Sequence, residues 1–183
     1  DINRDKRIDN NDLTSYMNYT GLRTIDGDFD YVSIGDVNKN GLIDAFDISV
    51  VATELDGGVR ASNDKVAGSL ELTPNVKAYK AGDIVEIKVS GKDMNAVNAI
   101  GFGLPYNTAE FEYVGVELVG MKDMVNLTYD RLHSNGQNAL YPTFVNRGNN
   151  ALLDNGSNHL FTIKLKAKKA GKFNLKAIDG ILV

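Results

Sequence analysis

Cysteine is absent from the 183 residues, which excludes disulfides, thiolate zinc centres and cysteine nucleophiles. Tryptophan is absent as well, and with it the side chain that supplies the broadest apolar ring for stacking on a sugar. Two histidines, His133 and His159, give little material for a histidine zinc site or a serine triad. No apolar run approaches the roughly 18–20 residues that cross a bilayer. Basic residues do not dominate: 20 Lys and Arg stand against 24 Asp and Glu, a formal net charge of −4, so no broad cationic surface is available for nucleic acid. The chain opens at Asp1 rather than at Met, which reads as a piece of a longer protein.

What the chain does have is an uneven distribution of carboxylates. Residues 1–60 hold 12 acidic and 6 basic side chains, whereas residues 61–183 hold 12 and 14. The acidic third contains a duplication with a period of 35 residues: Asp1 to Leu13 and Asp36 to Ile48 align without a gap. Each copy has the spacing of a twelve-residue calcium loop, in which a hard cation takes oxygens from positions 1, 3, 5, 7, 9 and 12. In the first copy these are Asp1, Asn3, Asp5, the Arg7 carbonyl, Asp9 and Asp12. In the second they are Asp36, Asn38, Asn40, the Leu42 carbonyl, Asp44 and Asp47. Two calcium ions are therefore expected. Position 6 turns sharply; Gly41 suits it, while Lys6 has to accept a backbone region that disfavours a side chain. Position 8 carries Ile8 and Ile43, which are expected to point inward and pair the loops.

Past each loop the periodicity becomes helical. Leu13, Tyr16, Met17 and Thr20 form one apolar stripe, and Ile48, Val51, Ala52 and Leu55 form another. Gly21 and Gly57 close the two helices. The connector from Leu22 to Gly35 is expected to hold some helix, with Phe29, Tyr31, Val32 and Ile34 completing a small core. From about Lys65 the period falls to two. Alternating runs at 69–73, 83–90, 99–104, 111–119, 140–145, 160–167, 173–177 and 180–183 predict eight or nine strands with no intervening helix. That pattern is a β-sandwich. Pro105 and Pro142 fall at strand ends, where a missing amide donor is tolerated. The predicted fold is thus two domains, a small α-helical unit of paired calcium loop–helix repeats at 1–58 and an all-β sandwich of jelly-roll or immunoglobulin-like type at 65–183, joined by a linker at 59–64.

The motif Asp-x-Asn-x-Asp/Asn-x-x-Ile-Asp-x-x-Asp-Leu/Ile, given twice and without an entering helix, resembles the type I dockerin over residues 1–58. That resemblance implies a calcium-folded plug that attaches polysaccharide-degrading enzymes to cohesin modules. Loop positions 10 and 11, which carry much of the partner recognition in that family, fall on Asn10 and Asn11 and on Ala45 and Phe46. The second unit resembles a cohesin through Ala81 to Gly91, Asn98 to Asn107 and Phe111 to Glu117. A dockerin-like part followed by a cohesin-like part is similar to the C-terminal region of large bacterial glycoside hydrolases.

These resemblances imply a non-catalytic interaction or scaffolding region of a secreted enzyme, its two modules packing in cis or pairing with another chain, in the periplasm or at the cell surface. The rival reading is a carbohydrate-binding module that holds a parent hydrolase near polysaccharide, with Tyr129, His133, Tyr141 and Phe144 as the sugar-contacting patch. Glu110 and Glu112 share an exposed strand face with no pocket implied, so no catalytic pair is assigned.

Overall fold

The computed structural model describes residues 1–58, 65–148, 153–154 and 158–183. The linker expected at 59–64 lies outside the described residues. Helix α1 spans Asn10–Tyr19, α2 Phe29–Val32 and α3 Ala45–Leu55, with a short 3-10 turn at Ser33–Gly35. The strands are β1 Ala67–Pro74, β2 Ala78–Tyr79, β3 Ile84–Asn95, β4 Ala99–Tyr106, β5 Phe111–Leu118 and β6 Val125–Asn126. They continue with β7 Tyr129–Leu132, β8 Asn138–Tyr141, β9 Thr143–Val145, β10 Asn158–Ala167, β11 Gly171–Lys172 and β12 Ile178–Leu182.

Both long helices start for the same chemical reason. Asp9 caps α1 and Asp44 caps α3, and Asp12 and Asp47 reach back to the capping residue's amide, closing a reciprocal box at each helix start. The ends match as well: Gly21 (φ 83°) and Gly57 (φ 87°) take the left-handed conformation just beyond α1 and α3.

The strands form two antiparallel sheets and a two-stranded ribbon of β2 and β11. One sheet runs β1-β3-β10-β5; the other runs β6-β9-β4-β8-β7, with β12 on the free edge of β4. Strand β4 pairs with β9 through Ala99–Gly101 and with β8 through Leu104–Tyr106. Pro142 stands in the break between β8 and β9, where no amide donor is needed. Val85, Ile87 and Val89 of β3 meet Ile100, Phe102 and Leu104 of β4 between the sheets, and Phe144 lies 4.7 Å from Phe161 there.

Burial along β3 alternates as expected for a strand with one wet face. Along β4 it does not: Ala99 to Leu104 are buried without interruption. Inner residues Ile100, Phe102 and Leu104 fill the sandwich, so Ala99, Gly101 and Gly103 must be covered from outside. Gly103 lies under Ile178 and Tyr141, and the N-terminal segment covers Ala99 and Gly101. Ala99, Leu127, Val145 and Val183 belong to one buried cluster with Ile2, Leu13, Tyr16, Val32, Ile43, Ala45 and Ile48.

Several expectations are corrected. Ile43 is fully buried, but Ile8 is 54% exposed, so position 8 does not pair the loops. The second loop pairs instead with the stretch after α1: the Gly21 amide donates to the Ile43 carbonyl (2.8 Å) and the Ile43 amide to the Leu22 carbonyl (3.0 Å). Phe29 and Val32 enter the core, whereas Tyr31, Ile34 and Met17 face outward. No strand forms at 173–177; the ribbon strand precedes it at Gly171–Lys172.

Candidate functional site

The two acidic loops fold alike, position by position. Carboxylate oxygens of Asp1 accept from the amides of Asp5 (3.0 Å) and Lys6 (2.9 Å), and those of Asp36 from Asn40 (3.1 Å) and Gly41 (2.8 Å). The side-chain oxygens of Asn3 and Asn38 accept from the amide two residues on, each at 3.1 Å. Asp5 and Asn40 do the same for Arg7 and Leu42, each at 2.9 Å. Asp9 and Asp44 accept from the amides of Asn11 (2.7 Å) and Phe46 (2.8 Å). Arg4 (φ 61°) and Lys39 (φ 58°) share a left-handed turn at position 4, and Lys6 (φ 71°) and Gly41 (φ 82°) share one at position 6.

Lys6 thus sits where a β-carbon costs about 1–2 kcal/mol. Replacing it with glycine should stabilise residues 1–58 by about 0.5–1 kcal/mol, after the extra freedom of glycine in the unfolded chain is subtracted. Thermal unfolding followed by helical circular dichroism reads the gain, and Gly41→Lys should lose a similar amount.

The two loops converge on Tyr16. Its hydroxyl donates to the Gly35 carbonyl at 2.8 Å, and its ionisation is pushed up by burial first and then by the carboxylates of Asp47, Asp12 and Asp36. Asp12 and Asp47 are fully buried. Burial pushes the Asp47 carboxyl up to about 7, against the pull of the Asp44 amide, with the Asp44 and Asp36 carboxylates raising it further. Among the described residues, no ion pair to a Lys, Arg or His side chain offsets Asp36, Asp44 or Asp47. Nor does any group of three His, Asp or Glu side chains among the described residues stand ready-made as a metal cluster. The loop carboxylates bond instead to their own backbone amides, a use that leaves each oxygen a further lone pair. Buried, crowded, uncompensated carboxylates within an all-oxygen set fit a hard divalent cation.

The second half of the site is the contact between the N-terminal segment and the outer face of the β4 sheet. Ala45, the first residue of α3, packs on Gly101: a β-carbon built at Gly101 would lie 3.0 Å from that of Ala45. Gly21 presses on Tyr141, whose ring atoms stand 2.2 Å from where its own β-carbon would be. Small residues on both sides bring backbone and helix into close contact.

Polar clamps ring this apolar centre. Arg131 of β7 is buried and donates to the carbonyls of Asn18 (2.7 Å) and Thr20 (2.9 Å) at the end of α1, which has no basic residue in its own last turn. Arg147 pairs with Asp56 beyond α3 (3.1 Å) and donates to the Asn10 side chain (3.2 Å). Asp26 accepts from the Ser134 amide (2.8 Å) and the Arg23 amide (2.9 Å), and the His133 ring meets it at 2.8 Å. The other nitrogen of His133 meets the Tyr141 hydroxyl at 2.6 Å. Arg23 also bonds to Asp179.

Burial alone would raise the Asp26 carboxyl, but the Arg23 and Ser134 amides and His133 outweigh it and hold the group low. At Asp56 burial likewise raises, and the Gly148 amide and Arg147 hold the carboxyl below its ordinary value. Both groups are therefore more acidic in the docked state than in a free chain. Docking should be at full strength above the usual carboxylate range and weaken as pH falls through and below it, towards these lowered values. Hydrogen exchange across the contact reads this, and Asp26→Asn should flatten its share of the acid-dependent loss.

Of the expected partner-binding residues, Ala45 and Phe46 lie in the contact, fully and partly buried respectively, and Asn10 reaches it through Arg147. Asn11 stays exposed. His133, Tyr141 and Phe144 of the expected sugar patch are buried, His133 and Tyr141 beneath the N-terminal segment and Phe144 between the sheets, so that patch does not exist as a surface. Sequence reasoning missed Arg131, Arg147, Asp26 and Asp56. The signal that was available is the row of small outward residues Ala99, Gly101 and Gly103, too short to shield a sheet by themselves.

The fold is an antiparallel sandwich with one outer sheet face covered by the chain's own helical segment. The chain belongs to the cohesin domain family, whose model matches residues 72–182. Cohesin domains are non-catalytic protein–protein interaction modules that bind dockerins. No curated protein sequence matches the chain. Among solved structures, a type II cohesin domain from the cellulosome of Acetivibrio cellulolyticus is 11% identical at a TM-score of 0.43, covering 56% of this chain and 69% of that one. A type I cohesin–dockerin complex from Clostridium thermocellum gives 17% and 0.44, covering 61% and 82%. A cohesin module from a family 33 glycoside hydrolase of Clostridium perfringens gives 11% and 0.42, covering 64% and 97%. No helix among the described residues is long and apolar enough to cross a membrane.

Proposed function

We propose that residues 1–58 are a dockerin-like module, that each acidic loop holds one calcium ion, and that this module docks in cis on the outer sheet face of the chain's own cohesin sandwich. The observation that carries the reading is the unbroken burial of Ala99–Leu104 in β4, whose outward Ala99 and Gly101 are covered by the second loop–helix repeat. In the first loop Asp1, Asn3, Asp5, the Arg7 carbonyl, Asp9 and Asp12 hold the ion; in the second Asp36, Asn38, Asn40, the Leu42 carbonyl, Asp44 and Asp47 do. A segment of about 60 residues buries little core, so ion-binding energy becomes folding energy. The result is a rigid, non-catalytic piece of a polysaccharide-degrading enzyme outside the cytoplasm, where calcium is plentiful.

Charge reversal tests the cis arrangement. Asp56→Arg or Arg147→Asp alone should weaken docking by about 1–2 kcal/mol, because each leaves like charges facing across a partly exposed contact. The double exchange should recover much of that loss. Sedimentation separates cis from trans: a monomer at every concentration supports the reading. Dimers that form with concentration and vanish with Phe46→Ala would replace it with pairing between chains.

A further inference from the structure

A separate cleft of about 510 Å³ opens at the end of the sandwich, between the β4–β5 turn and the β7–β8 turn. Its apolar lining is Pro105, Tyr106 and Leu175; its polar lining is Asn107, Thr108, Gln137 and Asn138. The lining residues are all uncharged, and the nearest charge is at the rim, where the Lys168 ammonium donates to the Thr108 carbonyl at 2.7 Å. The Tyr106 hydroxyl is committed to Asp130 (2.7 and 2.8 Å) and its ring is buried in the core, so the exposed apolar lining comes from Pro105 and Leu175. The Asn107 side-chain oxygen is held by the Ala109 amide at 2.8 Å, which leaves its amide donor. Among the described residues, no hydrogen bond engages the side chains of Thr108, Gln137 or Asn138.

We propose that this cleft is a binding site for a neutral oligosaccharide. Carboxamides and a hydroxyl both donate and accept, as sugar hydroxyls do, and three such side chains wait without partners. The proline and leucine surfaces suit the C–H face of a pyranose ring. The uncharged lining gives an acidic sugar no fixed partner inside the cleft, so neutral sugars are favoured over uronic acids. The volume is of the size that encloses a small ligand. The β7–β8 turn touches the docked segment through His133 and Ser134, which bond to Asp26, but its cleft-facing part is held locally: the His133 amide donates to the Gln137 carbonyl and the Gly136 amide to the His133 carbonyl, each at 2.9 Å.

Nuclear magnetic resonance titration of the whole chain tests it, with cellotetraose, xylotetraose and mannotetraose as neutral probes and trigalacturonate as the acidic control. At least one neutral probe should shift the amides of 106–108 and 136–138 and saturate in the high-micromolar to millimolar range, while trigalacturonate binds more weakly. Thr108→Val and Gln137→Ala, both at exposed positions, should each weaken that binding by about two- to tenfold. Ala45→Arg, aimed at the docking contact, should leave it unchanged, which keeps this test distinct from that of the docking arrangement. The proposal is overturned if no neutral probe shifts these amides at about 10 mM, if trigalacturonate binds equally well, or if neither variant weakens the response.

Discussion

Arginine in place of Ala45 should lift residues 1–58 off the sandwich while leaving both units folded. Ala45 has no exposed surface, and its β-carbon faces Gly101 at the closest approach of helix to sheet. A guanidinium stem has no volume to enter there, and the acidic side chains that line the spot are already engaged, Asp44 by the Phe46 amide and Asp179 by Arg23. The loss should be about 3 kcal/mol, the upper range for forcing a long side chain into a filled contact. Once the contact opens, position 45 is an exposed first residue of a helix and tolerates arginine well. Small-angle scattering should show a larger radius of gyration, and hydrogen exchange should rise in α3. Asn11→Arg, at an exposed position of the first repeat, should change neither. If Ala45→Arg stays as compact as the parent chain, docking through the second repeat is wrong.

Chelation should have an effect of similar size and different character. At a free calcium level about a thousand times the dissociation constant, each site contributes about 4 kcal/mol, and two such sites approach the whole stability of a small domain. Removing the ion leaves Asp12 and Asp47 buried among other carboxylates, so residues 1–58 should unfold. The sandwich should remain, because the Phe102, Phe144 and Phe161 cluster lies between its own sheets. Calorimetry should resolve two transitions in chelator, and a dye for apolar surface should bind to the uncovered Leu127, Val145 and Val183. A single transition indifferent to chelator would refute the metal assignment.

How far the sequence could be read depended on the range of the interaction. Loop and helix starts are local: Asp9 and Asp12, like Asp44 and Asp47, act on amides three residues away, and the duplication makes them visible. Strands such as β3 show themselves because Val85, Ile87 and Val89 alternate with polar neighbours. The two-residue strands β2 and β6 and the mixed β7 carry too little pattern to be seen. Ile8 and Ile43 are alike in sequence and opposite in burial, because only the second repeat faces the sheet. The docking clamps were hidden for the same reason. Arg147 and Asp56 are 91 residues apart, Arg131 and Thr20 are 111, and nothing local links them. Charge and smallness at those positions acquire meaning only when the fold brings them together.

The segment laid over β4 is tethered to the sheet it covers, and a tether converts affinity into competition. A short connection holds the occupant at an effective concentration in the millimolar range. A free rival of equal affinity would need to reach that level to claim half of the sheet faces, so only a much tighter or locally crowded rival displaces the resident helix.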